Sequence, residues 1–199
     1  MIIQETGLLL PTDTIAVNID DFDSGKEKKL LIIGYCGSGK STWAEFLSTH
    51  MSKPVNKKYP LRKPPIKIFS TDDLFKRLHK QKNEKGKVIE SKVRTILFKS
   101  LKDNKPFIYE GIDLIFMYDN RAYKKLILSN PMIILGHSAI IAGIRAGIRN
   151  VRQGNELAQL YKMPEINIKI IMKTLNQLRK DVHNRASVKI EKYKIPRLK

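Results

Sequence analysis

The sequence predicts an α/β fold built on a mostly parallel sheet, with a short N-terminal β extension, and three observations carry that expectation. Short apolar runs bounded by polar, Gly or Pro residues alternate with longer amphipathic stretches, the pattern of a sheet whose strands are joined by crossover helices. One of those runs leads directly into a glycine-rich turn and then into helical spacing. At 199 residues the chain is long enough for one sizeable core and short for two domains with a linker.

Taken in order, residues 1–29 read as an N-terminal extension. Ile15, Val17 and Ile19 alternate with Thr14, Ala16 and Asn18, which predicts a short edge strand or hairpin. Pro11 and the turn-forming run at 20–25 bracket it. The main domain is then expected over 30–199. Its strands are predicted at 30–34, 66–70, 107–110 and 132–135. Trp43, Phe46, Leu47 and Met51 fall at helical spacing, so a helix with one buried face is expected over 40–51. Ile166, Ile170, Ile171, Leu175, Leu178 and Val182 predict a C-terminal helix over about 165–186, with Pro164 near its first turn. Lys169, Lys173, Arg179 and Lys180 form its solvated face. Segments 53–65 and 80–87 read as basic loops, and 189–199 as a short, mobile basic tail.

Charge is the unusual property: 38 Lys and Arg against 19 Asp and Glu leave a net +19, and residues 1–29 are themselves acidic. A basic body of this kind attracts polyanions such as nucleic acid, and equally a phosphorylated substrate. Solubility alone would also account for it. No run of about 18 apolar residues offers a membrane span. The first residues lack the basic n-region of a secretory signal, and the single cysteine, Cys36, permits no internal disulfide. Both point to a cytoplasmic setting. His50, His79, His137 and His183 are scattered without metal-ligand spacing.

The strongest chemical signal is the run from Gly34 through Tyr35, Cys36, Gly37, Ser38, Gly39, Lys40 and Ser41 to Thr42, which fits G-x-x-x-x-G-K-[ST] with a strand before it and a helix after it. Glycines there let the main chain approach a phosphate closely and aim successive N–H groups into one concavity. A helix starting near Gly39 adds its partial positive charge. Lys40 is then expected on the β and γ phosphates of ATP and Ser41 on magnesium, with Gly34, Gly37, Ser38, Gly39 and Thr42 completing the nucleotide site.

This run resembles the opening of small P-loop kinases, a nucleoside-monophosphate-kinase-like superfamily. In its phosphate loop it is most similar to the phage-type polynucleotide 5′-hydroxyl kinase domain. Gluconate kinases and zeta-type toxins share the layout. The resemblance spans roughly residues 30–160 and implies a three-layer P-loop NTPase fold. It also implies further roles. In such kinases the first acid of a pair ending the second strand acts as general base, which falls here on Asp72 of Ile68-Phe-Ser-Thr-Asp-Asp-Leu74, 32 residues beyond Lys40. The same residues would serve equally as a helix cap. An arginine follows that pair in polynucleotide kinases, whereas Phe75 and Lys76 follow it here. The strand ending in Glu110 looks like the Walker B region of uridine-kinase-like enzymes, which nominates Glu110 for magnesium, with Asp113 in reserve. Arg145, Arg149 and Arg152 share one helix face in 138–154, where small kinases carry a lid that brings arginines to the transferring phosphoryl group. A plain basic surface stripe has the same pattern.

The function expected is therefore transfer of the ATP γ-phosphate to a hydroxyl or phosphate of a nucleotide, a nucleic-acid 5′ end or a similar small polar acceptor. Two other readings fit the sequence. One is a nucleic-acid-binding P-loop ATPase or virion component, and the other is a zeta-like toxin kinase.

Overall fold

The computed structural model describes residues 14–35, 38–53, 55–56, 58–82, 87–135, 168–185 and 187–192. In chain order these form β1 (Ile15–Val17), α1 (Ile19–Asp23), β2 (Lys29–Ile33), α2 (Lys40–Thr49), β3 (Ile68–Ser70), α3 (Thr71–Lys82), α4 (Lys87–Lys102), β4 (Phe107–Gly111), α5 (Asp113–Met117), α6 (Arg121–Leu128), β5 (Met132–Ile134), α7 (Ile168–His183) and β6 (Ile190–Lys192). The lid segment 138–154, with Arg145, Arg149 and Arg152, lies outside the described residues, as do Cys36, Gly37 and Pro164.

The strands make one six-stranded sheet in the order β3-β4-β2-β5-β1-β6. The four strands from β3 to β5 are parallel, while β1 runs antiparallel to both β5 and β6. This is the mostly parallel α/β sheet that the alternation of apolar runs predicts.

Parallel crossovers share one hand, so two that travel in opposite directions across the sheet lay their helices on opposite faces. The chain leaves β2 across β4 to reach β3, and it leaves β4 across β2 to reach β5. The two cores follow from this. On one face Trp43, Ala44, Phe46 and Leu47 of α2 pack on Leu30, Ile32, Ile108 and Ile133. On the other, Leu97 and Leu101 of α4, Leu114 and Ile115 of α5, and Ile171, Leu175, Leu178 and Val182 of α7 cover Leu31, Ile33, Tyr109 and Ile134. Alternate residues of each parallel strand thus serve opposite layers, and a strand buried on both sides reads as an unbroken apolar run.

Three expectations change. β1 is an interior strand rather than an edge strand, because Ile190–Lys192 pairs along its free side, with Val17 opposite Ile190 and Ile15 opposite Lys192. The basic tail therefore begins by supplying a strand, which satisfies main-chain groups of β1 that would otherwise lie open. Ile19 belongs to α1, since Asn18 adopts a left-handed conformation (φ 51°) that ends the strand. Segment 80–87 is not simply a loop: α3 extends to Lys82 and α4 starts at Lys87.

The N-terminal segment is packed into both cores, through Ile15 and Val17 on one side and Ala16, Ile19 and Phe22 on the other. A partly buried ion pair anchors it. The Asp23 carboxylate accepts the Ser52 amide at 3.0 Å, also bonds the Ser52 hydroxyl, and pairs with Arg62, whose guanidinium lies 4.6 Å from the centre of the Phe22 ring. These contacts tie α1 to the chain that follows α2.

Candidate functional site

The parallel register brings the carboxyl ends of the strands to one level. Ile33 stands opposite Gly111 on one side and Ile134 on the other, and Ser70 stands opposite Glu110. Gly34, Thr71, Ile112 and Leu135 consequently leave the sheet together. Because the chain departs from neighbouring strands β2 and β4 in opposite directions, the crevice between their ends is a topological switch point, where α/β sheets of this kind take their ligands.

One wall of the crevice is the turn from β2 into α2. The Ser38 amide donates to the Tyr35 carbonyl at 3.1 Å, and Gly39 has φ 87°, a left-handed conformation that favours glycine. The buried Lys40 ammonium donates to the Tyr35 carbonyl at 2.7 Å, its hydrogen bond among the described residues, so it spans the turn from inside. Gly34 is needed for space: a Cβ there would sit 2.7 Å from the Ser38 hydroxyl oxygen and 3.0 Å from the Leu135 Cβ. That Ser38 hydroxyl is buried and has no hydrogen-bond partner among the described residues, an unusual cost for a polar group unless something else completes it. Ser41 and Thr42 are exposed at the first turn of α2.

The opposite wall carries the acids. α3 starts at Thr71, directly after β3, so Asp72 and Asp73 are exposed in its first turn, where the helix dipole favours negative charge. The paired carboxylates thus do sit at a helix start, as the capping alternative requires, and at the crevice, as the catalytic one requires. Glu110 is buried at 6% exposure. Along β4 it shares the α2 face with Ile108, whereas Phe107 and Tyr109 face the other layer. Among the acids of β4 and α5 it is therefore Glu110 that lies on the side of the Lys40 turn.

Asp113 has a different setting. It is also buried, at 6% exposure. Burial pushes its carboxyl up from the usual 3.8 to about 6, hydrogen bonding by the nearby Thr71 hydroxyl opposes that rise, and the negative charge of Asp72 adds to it. Asp72, Glu110 and Asp113 all raise the Tyr109 hydroxyl as well, after the larger effect of burial, so the three acids share one electrostatic neighbourhood.

A pH dependence follows. Between about 3.8 and 6 the folded carboxyl holds its proton while the unfolded one releases it, so this group favours the folded state in acid and loses that preference as pH rises through the window. The full difference corresponds to about 3 kcal/mol. Asp113→Asn should remove it, so that urea unfolding shows the variant gaining stability relative to the parent from pH 4 to pH 7. An unchanged difference over that range would place the raised proton affinity elsewhere.

Sequence reasoning nominated Lys40, Ser38, Asp72 and Glu110, and the structure brings their segments together at the ends of adjacent strands. It missed Thr71, Tyr109 and Gly111. The Thr71 hydroxyl lies 3.0 Å from the Tyr109 hydroxyl and 3.3 Å from the Glu110 carbonyl, and all three groups are buried. A Cβ on Gly111 would fall on Thr71 Oγ1 and 2.5 Å from the Tyr109 hydroxyl oxygen. Glycine is the residue that leaves room for this junction. Gly111→Ala should destabilise the fold by about 1–3 kcal/mol, the cost of forcing atoms into a filled site. A urea midpoint equal to that of the parent would mean the junction can open without strain.

No protein-family model matches this sequence, and no curated protein matches it significantly. Fold alone does not specify function, so the function must be argued from the crevice. Among the described residues no helix is long and apolar enough to cross a membrane.

Proposed function

We propose that this protein is an ATP-dependent phosphotransferase of the P-loop class. One observation carries the reading: the Lys40 turn, the start of α2, Asp72 and Glu110 converge at the carboxyl ends of adjacent parallel strands. The segment 34–42 would cradle the phosphates of ATP. Its fit to that role rests on the glycine at 34, the left-handed Gly39 and the buried Ser38 hydroxyl, which has no partner among the described residues.

Among the described residues no three His, Cys, Asp or Glu side chains form a group able to hold a metal ion. Magnesium carried by a triphosphate needs only one or two protein ligands beside the phosphates, and Ser41 and Glu110 are the residues proposed to supply them. Bound there it would neutralise charge on the transferring phosphoryl group. Asp72 aligns the acceptor hydroxyl and takes its proton as the acceptor oxygen bonds to the γ-phosphorus and the bond to the β–γ bridging oxygen breaks, releasing ADP. Lys40 leaves the Tyr35 carbonyl for the phosphate oxygens. Arg145, Arg149 and Arg152 are proposed for the lid.

The decisive experiment is transfer from labelled ATP across nucleosides, nucleoside monophosphates, 5′-hydroxyl oligonucleotides and sugar acids. A labelled acceptor is expected. ADP release indifferent to every acceptor would instead favour the second reading, a nucleic-acid-binding ATPase, which the net charge of +19 supports. That alternative requires polymer binding that weakens steeply with salt.

A further inference from the structure

Resting on the phosphotransferase reading, we infer that Thr71 is a positioning residue for Asp72, clamping the start of α3 to the end of β4 through a buried hydroxyl relay from Tyr109. The two are consecutive in sequence but opposite in environment. Thr71 is 1% exposed, whereas Asp72 stands in the open crevice. The main chain of Asp72 is thus held by what Thr71 touches.

Those contacts have a definite direction. A carbonyl oxygen only accepts, so the Thr71 hydroxyl donates to the Glu110 carbonyl 3.3 Å away. A hydroxyl has one proton, so the Tyr109 hydroxyl must be the donor across the 3.0 Å that separate it from Thr71 Oγ1. The relay therefore runs from Tyr109 through Thr71 to the Glu110 carbonyl. Every group it joins, other than Thr71 itself, belongs to β4. Gly111 has no side chain in the space the relay occupies.

The consequence is geometric. Asp72 comes from β3 and α3, and Glu110 comes from β4. Their separation would otherwise be set by the ladder between the two strands, which stops at the pairing of Ser70 with Glu110. Thr71 extends the coupling one residue past that end, on the residue next to Asp72. A base that must meet an acceptor hydroxyl within hydrogen-bond reach needs this restraint, since a displacement of about 1 Å can cost about 10²-fold in rate.

The test compares the parent protein with Thr71→Val, Thr71→Ser and Tyr109→Phe in the labelled-ATP assay. Each is assayed at a temperature where circular dichroism shows it folded. The expected result is kcat lower by about 10–100-fold in Thr71→Val, with KM for ATP within about twofold, and recovery in Thr71→Ser, the range typical of residues that orient a reacting group. Tyr109→Phe should show a smaller loss of the same kind, and it serves as the measurement if Thr71→Val does not fold. An active parent with Thr71→Val or Tyr109→Phe at full kcat overturns the positioning role and leaves the phosphotransferase reading standing. So does a loss that Thr71→Ser fails to recover, or one that appears in KM for ATP. A parent that transfers phosphate to no acceptor overturns both.

Discussion

Asp72→Asn is expected to lower phosphoryl transfer by about 10²–10⁴-fold, the contribution typical of a positioned general base. The affinity for ATP should stay close to that of the parent. The substitution keeps the shape of the side chain and its place in the first turn of α3, so the helix start survives while the proton acceptor is lost. Removing one negative charge beside Asp113 also relieves part of what raises that carboxyl, so the variant should be no less stable at neutral pH. Single-turnover transfer combined with calorimetric titration of ATP separates the effects. Full transfer by the variant would reduce Asp72 to a helix cap, and loss of ATP binding would move it into the nucleotide site.

Lys40→Ala should have a comparably large effect of a different kind. The ammonium is buried within the turn that would hold the phosphates, where surrounding protein screens a charge less than water does. Losing one such donor is expected to cost about 10²–10³-fold in transfer. Unlike Asp72→Asn, it should also weaken binding of ATP. The fold should tolerate the change, because the hydrogen bond lost is one to the Tyr35 carbonyl at the rim of the crevice. Titration with a fluorescent ATP analogue, beside a thermal melt, checks both halves. Equal analogue binding by variant and parent would end the proposal that segment 34–42 holds a triphosphate. The pair of variants is therefore diagnostic together: one should fail in chemistry with its ligand in place, and the other should fail to hold the ligand.

Much of this arrangement is legible in the sequence, and the reason is locality. The glycines, Lys40 and Ser41 lie within one turn of chain, and the conformation that Gly39 adopts (φ 87°) is one that glycine reaches without penalty. Strands buried on both faces announce themselves as apolar runs, so β2, β4 and β5 were located within a residue or two. α4 is not among the elements expected from the sequence although Val93, Leu97 and Leu101 repeat at helical spacing, and only its first residue falls in the segment 80–87 read as a basic loop.

By itself the sequence determined the parallel α/β class, the turn that leads into α2, and the positions of the acids that end β3 and β4. Short-range pattern suffices for these, since each depends on neighbours in the chain. Tertiary structure alone decided that β1 lies inside the sheet, that residues 190–192 complete it, and that Thr71, Tyr109, Gly111 and Asp113 form one buried junction. These features join main-chain edges and hydroxyls from segments about 40 to 170 residues apart. Such contacts leave no periodicity to read, because a hydrogen bond needs only a partner within reach and any part of the chain can supply it.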